Sequence, residues 1–394
     1  MDKKVSSSHK IEFLEGLRGL FAINVIINHF IVVYYPQMYY LDFANKENGF
    51  LSLFASTPLS VLVNGNIAVQ FFFVLTGFLV GRMVFTREIS THTLREKIVK
   101  RYTRLLPIVV AATVFTAITM FLSIQYHHYI VNDVKNGGFL AAYCNFEPSV
   151  FSTLFNAFIK TFFGTNDYVG PFWVMKYEFL GYIFVMLLCY ILKDSSWRRV
   201  GCIIGAVFLG ILFDLKYSVM VFGAFVAELY YNNTSDASKF SKYYCKILDK
   251  KWFLCLCFVL GLYFACCPME FTSVYKFLSV IPVINTGFIR GVGMALIVFV
   301  MLKVKPLRSF FELRFFKWLG KFSFAVYAFH WPIMLTLQAY LFSLFLPRLG
   351  YDWSALASFF VTLPIIYAFS YLMWHILESG KFTESLKNKL LKKT

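Results

Sequence analysis

Arg18 and His29 sit 11 residues apart in a stretch that is otherwise apolar, LEGLRGLFAINVIINHF (14–30). That spacing is close to three helical turns. On a helix the two side chains differ by only about 20° around the axis and stand ~16 Å apart along it. Glu15 lies one turn before Arg18, about 60° round, so the three polar groups form one stripe, with Asn24 and Asn28 off it. A cation at the centre of a bilayer costs at least ~3 kcal/mol, and such groups face a cavity or a partner rather than lipid. An imidazole serves as a base near neutral pH. A guanidinium holds an anionic or carbonyl group with a planar fork of donors. The structural alternative is a polar seam, in which Arg18 pairs with Glu15 and His29 is a satisfied core histidine.

The same pattern recurs along the chain. NGNIAVQFFFVLTGFLVGR (64–82) places Asn64, Asn66 and Gln70 in one half of a helix and Thr76-Gly77 further along. The glycine admits a neighbouring backbone or a ligand. REKIVKRYTRLLP (95–107) carries Arg101 and Arg104 at i, i+3, a pair that suits a phosphate and would equally serve as a charge anchor at a membrane surface. PFWVMKYEFLGY (171–182) sets Trp173 and Glu178 at the start of another apolar run. In LGKFSFAVYAFHWP (319–332), Ser323, Tyr327 and His330 follow i, i+4, i+7 and share a helix face. His127-His128 read as rim residues, and His375 and Glu378 as interfacial ones.

The elements that must carry these groups follow from composition. Of 394 residues, 59% are hydrophobic, 20% aromatic and 15% charged, with a mean hydropathy of +0.64. Soluble domains run nearer 45–50% apolar and about 25% charged, so the chain reads as an all-α polytopic membrane protein. Apolar runs predict about ten helices, near 13–35, 59–80, 105–126, 172–192, 200–215, 217–231, 252–267, 286–302, 322–346 and 354–376. They form one transmembrane unit over 13–376. It is flanked by a cytoplasmic N-terminus (1–12) and a basic cytoplasmic tail (377–394). Residues 149–163 read as an interfacial or re-entrant helix. The basic start (Lys3, Lys4, Lys10) precedes an apolar stretch too long and polar for a cleaved signal.

The net charge of +17 is topological. With both termini inside, 29 of the 38 Lys and Arg fall in cytoplasmic segments. Eight fall on the other side, and Arg18 lies within the first span. Nucleic acid is therefore not an expected partner; the bilayer is. The eight cysteines show no metal-ligand spacing, and no metal is expected. Asn232 and Asn233 open N-x-[ST] matches, which this topology places in the cytoplasm.

Five motifs in order resemble the membrane-bound acyltransferase-3 family: LEGLRG with Arg18-x10-His29; VQFFFVLTGF (69–78); KRYTRLLP (100–107); Trp173-x4-Glu178; and LGKFSFAVYAFHWP. The resemblance runs from residue 11 to about 380. Glu15 stands where the family usually has Asp, Thr76 where Ser is common, and ESG (378–380) where Glu-Lys-Pro is frequent. The hydrolase-like extension of many members is not expected here.

The resemblance implies ten spans with cytoplasmic termini in the plasma (inner) membrane. It also implies transfer of an acyl group, acetyl by family frequency, from cytoplasmic acyl-CoA to a hydroxyl across the membrane. The acceptor would be a carbohydrate, a lipid-linked glycan or another envelope component. No bound cofactor is implied, acyl-CoA being a co-substrate. In that reading Arg101 and Arg104 bind CoA phosphates in the hydrated surface layer, and Arg18 steadies the donor. His29 is the general base or a transient acyl acceptor. Glu178, nearer the outside, orients the acceptor or a histidine. Glu15, Gln70, Thr76, Trp173, Ser323, Tyr327 and His330 line the cavity, and Ser323, Tyr327 and His330 support the oxyanion. A transporter or flippase would use the same buried groups as a substrate or proton path. No internal repeat of the kind many transporters carry is evident in the sequence.

Overall fold

A computed structural model describes residues 11–47, 49–231 and 246–378. Most of the two expected flanking segments, and Asn232 and Asn233, lie outside the described residues. Within them the chain is helical, with no strand.

Among the described residues, ten helical segments overlap the apolar runs. α1 is Glu12–Tyr34, α2 Gly65–Thr86, α3 Thr91–Phe121 and α4 Gly170–Leu192. α5 is Arg198–Leu212, α6 Leu215–Tyr231, α7 Lys251–Ala265 and α8 Thr286–Lys303. A last run, Ser323–Leu377, is broken at Gly350, whose φ of 69° no helix contains. Its arms are α9 (323–349) and α10 (351–377). Six helical runs among the described residues are long and apolar enough to cross a membrane: α1 to α4, α8 and the broken last run. α5 and α7 have 15 residues each. At 1.5 Å per residue each spans ~22 Å, less than a ~30 Å hydrocarbon core. The stretch read as an interfacial or re-entrant helix is helical, Val150–Phe163.

α3 starts 14 residues before its apolar run. Ser90 caps it by accepting a hydrogen bond from the Thr93 N–H, and the charged turns that follow are helical although not hydrophobic. Arg101 and Arg104 are thereby held on a rigid element rather than in a loop.

Small residues set the closest packing. α2 carries Gly77-x3-Gly81, and α6 answers with Gly223. A Cβ on Gly77 would lie 1.7 Å from the Met220 carbonyl oxygen, and one on Gly223 2.0 Å from that of Val74. The two backbones touch, which is how helices associate where lipid removes the hydrophobic drive. α1 meets the short helix Arg314–Lys321 likewise: a Cβ on Gly320 would sit 1.9 Å from the Glu15 carbonyl oxygen. The interior is filled by aromatic side chains such as Phe71, Phe73, Phe78, Phe329 and Trp331, all fully buried.

Candidate active site

Two cavities lie on either side of the α1–α2–α4–α9 packing. The first, of about 110 Å³, collects the cations. Arg18 comes from α1, Thr76 from α2, Arg101 and Arg104 from α3, Glu178 from α4, and Ser323 and Tyr327 from α9. Arg101 donates to the Glu178 carboxylate and, at 3.3 Å, to the Glu178 carbonyl. The Thr76 hydroxyl donates to the same carboxylate at 2.7 Å. The Arg101 guanidinium also lies 5.2 Å from the centre of the Tyr182 ring. Glu178 rides on a π-helical turn, Tyr177–Gly181, whose extra residue per turn re-aims a side chain. Gly181 lets that turn press on Met220, where a Cβ would meet the sulfur at 2.1 Å.

These contacts correct two expectations. Glu178 does not join the histidines; it neutralises Arg101. Arg101 itself is not a surface anchor, its side chain being only 18% exposed, whereas that of Arg104 is 54% exposed. Arg104 lies 3.7 Å from Glu378, a residue read from the sequence as merely interfacial and now found in the cavity wall. Arg18 has no carboxylate within 4 Å among the described residues, although Arg104, Glu378 and Glu15 are within electrostatic reach. The cavity thus holds one tightly neutralised arginine, one loosely paired and one without an ion pair. An incoming anion would find Arg104 and Arg18 available.

The second cavity, of about 190 Å³, holds His29 among aromatic and amide side chains: Asn28, Tyr39, Tyr40, Asn66, Tyr143 and Trp173. The proton positions around His29 follow from its partners. His330 Nδ1 lies 2.7 Å from the Tyr327 carbonyl, which only an N–H can satisfy, so His330 Nε2 carries a lone pair. His29 Nδ1 lies 2.9 Å from the Val25 carbonyl and 3.3 Å from His330 Nε2, two acceptors sharing one N–H. His29 Nε2 is then the unprotonated nitrogen, and it has no partner among the described residues. Trp331, with its ring centre 4.9 Å from that of His29, packs the imidazole from the side. The result is a fixed tautomer with its basic nitrogen free, the arrangement a general base needs.

His330 is therefore a support for His29 rather than a cavity wall. The hydroxyl protons of Ser323 and Tyr327 are engaged with backbone carbonyls, those of Gly320 (2.9 Å) and Pro171. At rest neither is poised to stabilise an oxyanion, contrary to expectation. Glu15 and Gln70 line neither cavity. Gln70 faces α8, where a Cβ on Gly287 would lie 3.4 Å from its amide nitrogen. Thr76 and Ser323 line the first cavity, Trp173 the second and Tyr327 both.

Sequence reasoning missed the aromatic and amide half of this wall. Asn66 donates to the Tyr39 hydroxyl at 2.7 Å, which leaves the tyrosine proton free to point into the cavity. Asn28 donates to the Val63 carbonyl at 2.7 Å. Tyr143 is held from behind by His127, whose Nε2 lies 3.1 Å from the Tyr143 carbonyl. Burial, and then the neighbouring His128, pushes the His127 pKa down to about 4, so it stays neutral there. The available signal was the density of polar aromatics in YYPQMYY (34–40) beside the first helix.

A sequence family described as an acyltransferase domain matches residues 11–375. No curated protein and no solved structure matches the chain.

Proposed function

The chain belongs to acyltransferase family 3 and is a multi-pass membrane acyltransferase; on that premise we propose that it moves an acyl group from acyl-CoA on the Arg104 side to a hydroxyl on the His29 side. The observation that carries this reading is the pair of cavities back to back. One offers cations to an anionic donor, and the other offers a free imidazole nitrogen among groups that suit a sugar. Trp173 supplies an apolar ring face. Tyr39, Tyr40, Tyr143, Asn28 and Asn66 supply hydroxyls and amides.

The first cavity is small, so only the thioester arm of the donor enters. The CoA phosphates stay at the mouth, where Arg104 and Arg18 meet them. The acceptor hydroxyl gives its proton to His29 Nε2 as its oxygen attacks the thioester carbonyl. The new C–O bond forms, the C–S bond breaks, and the imidazolium gives up the proton that converts the leaving thiolate to free CoA. The Val25 carbonyl, holding His29 Nδ1–H, stabilises the imidazolium that forms. A transporter reading has less support, because a histidine in one tautomer among aromatic and amide side chains suits a single proton transfer to a bound hydroxyl.

The cytoplasm is the Arg104 side in this proposal, with ten spans over 13–376 and both termini inside. The membrane is the plasma (inner) membrane. Acetyl is the acyl group, a carbohydrate or other envelope component the acceptor, and nucleic acid no partner. Release of free thiol from acetyl-CoA by the protein in proteoliposomes tests the reading. An amide side chain keeps hydrogen bonding but lacks the imidazole's basicity, so His29→Gln should fold normally and lose 10²–10⁴-fold in rate. Near wild-type turnover by His29→Gln would make the histidine pair a scaffold and refute the role of His29.

A further inference from the structure

Three side chains belong to both cavities: Val69 of α2, Val174 of α4 and Tyr327 of α9. All three are buried. They come from three different helices and stand between the arginines and His29, so they form the partition that any acyl group crosses. The Tyr327 hydroxyl is tied to the Pro171 carbonyl, and the Tyr327 ring lies near Phe172, with centres 6.4 Å apart. One side of the partition is thus anchored. The two valines form the other side.

We propose that Val69 and Val174, closing against Tyr327, are the size filter that sets the length of the transferred acyl group. The inference rests on the acyl-transfer reading above and adds to it. A donor entering from the arginine side leads with the far end of its acyl chain, because CoA trails behind the thioester. For the carbonyl carbon to reach an oxygen beside His29, everything beyond that carbon passes the valines first. It then occupies the 190 Å³ cavity that the acceptor also needs. An acetyl group sends through one methyl. A butyryl group sends three carbons into a gap bounded by two β-branched side chains, which hold one strongly preferred χ1 position on a helix and yield little. The filter therefore favours two-carbon donors. It does so by geometry, with no charged group at the constriction.

The test uses the full-length protein in proteoliposomes with acetyl-, propionyl- and butyryl-CoA as donors. Water in the second cavity stands in for the acceptor, and release of free CoA thiol is the readout. One methylene in a tight apolar site is worth roughly 10–200-fold in kcat/KM, so wild type should fall at least tenfold at each step along the series. Val69→Ala/Val174→Ala should raise the butyryl-to-acetyl ratio at least tenfold. Val174→Ala alone should move it in the same direction by less, which covers the case in which the double variant fails to fold. Val69→Ile should steepen the series. An acetyl-to-butyryl ratio unchanged in both alanine variants, with wild type active, would overturn the filter and leave the transfer reading standing. No thiol release by wild type from any thioester would overturn the transfer reading and the filter together.

Discussion

At the scale of single residues, the arginines of α3 are not equivalent, although they are three positions apart on one helix. Arg101 and Glu178 are a buried pair, tied further by Thr76. Removing one partner leaves an uncompensated buried charge, which costs ~3–5 kcal/mol. Arg101→Ala should therefore lower the unfolding midpoint in detergent, and Arg101→Ala/Glu178→Gln should recover part of the loss because both charges are gone. Arg104→Ala should leave the midpoint close to wild type and raise the KM for acetyl-CoA about tenfold or more, the worth of one charge-assisted hydrogen bond. Equal loss of midpoint in the two single variants would contradict the distinction. The sequence placed the two arginines together in the hydrated surface layer, as phosphate ligands or charge anchors, because i, i+3 spacing reports a shared face and not depth. Which carboxylate finds which arginine depends on helix pairing, and no local pattern encodes that. Arg18 and His29 were legible for the opposite reason: a polar stripe inside an apolar helix is a one-helix property.

At the scale of elements, the α2–α6 contact fixes the height of Thr76, and through it the Glu178 carboxylate. Gly77 has no room for a methyl against the Met220 carbonyl, whereas Gly138, in the short helix Gly137–Ala141, has nothing within 4 Å of the same position. Gly77→Ala should thus cost ~1–3 kcal/mol through overpacking and helix separation. Gly138→Ala should stay within about 0.5 kcal/mol of wild type. Thermal unfolding of the two variants side by side is the measurement, and equal midpoints would mean that the helices slide apart freely. The sequence showed that a glycine beside Thr76 invites close approach, but not that α6 is the partner. It also set the start of α3 too late, since an apolar-run criterion cannot see a helix whose first turns are charged and capped by Ser90. The positions of all ten helices were legible because each has its own apolar run. The division of the last run by Gly350 was legible only as a polar gap between two such runs.

At the scale of the whole molecule, both ends of the described chain gather at one end of the bundle. Lys317 pairs with Glu12 at 2.6 Å, joining the start of α1 to the segment that leads into α9. Glu378, one residue past α10, shares a cavity with Arg18 and Arg104. Termini on one side require an even number of crossings, which ten spans satisfy. The broken run after Ser323 supplies two of those crossings when Gly350 lies at a membrane surface. The proposed orientation rests on the distribution of Lys and Arg, 29 against eight, since basic segments resist translocation. Of those eight, Arg290 is buried and bonded to the Thr286 hydroxyl at 2.8 Å, so it is part of the packing rather than of the loop charge. A fluorescent protein fused after Thr394 should therefore fluoresce, and a phosphatase fused at the same place should stay inactive, because the first matures in the cytoplasm and the second outside it. A phosphatase inserted after Arg348, beside the Gly350 break, should be active. Phosphatase activity at Thr394 would invert the bundle and put the arginine cavity outside, away from cytoplasmic acyl-CoA. Activity at Thr394 and at Arg348 together would mean that 323–349 and 351–377 do not cross as separate spans.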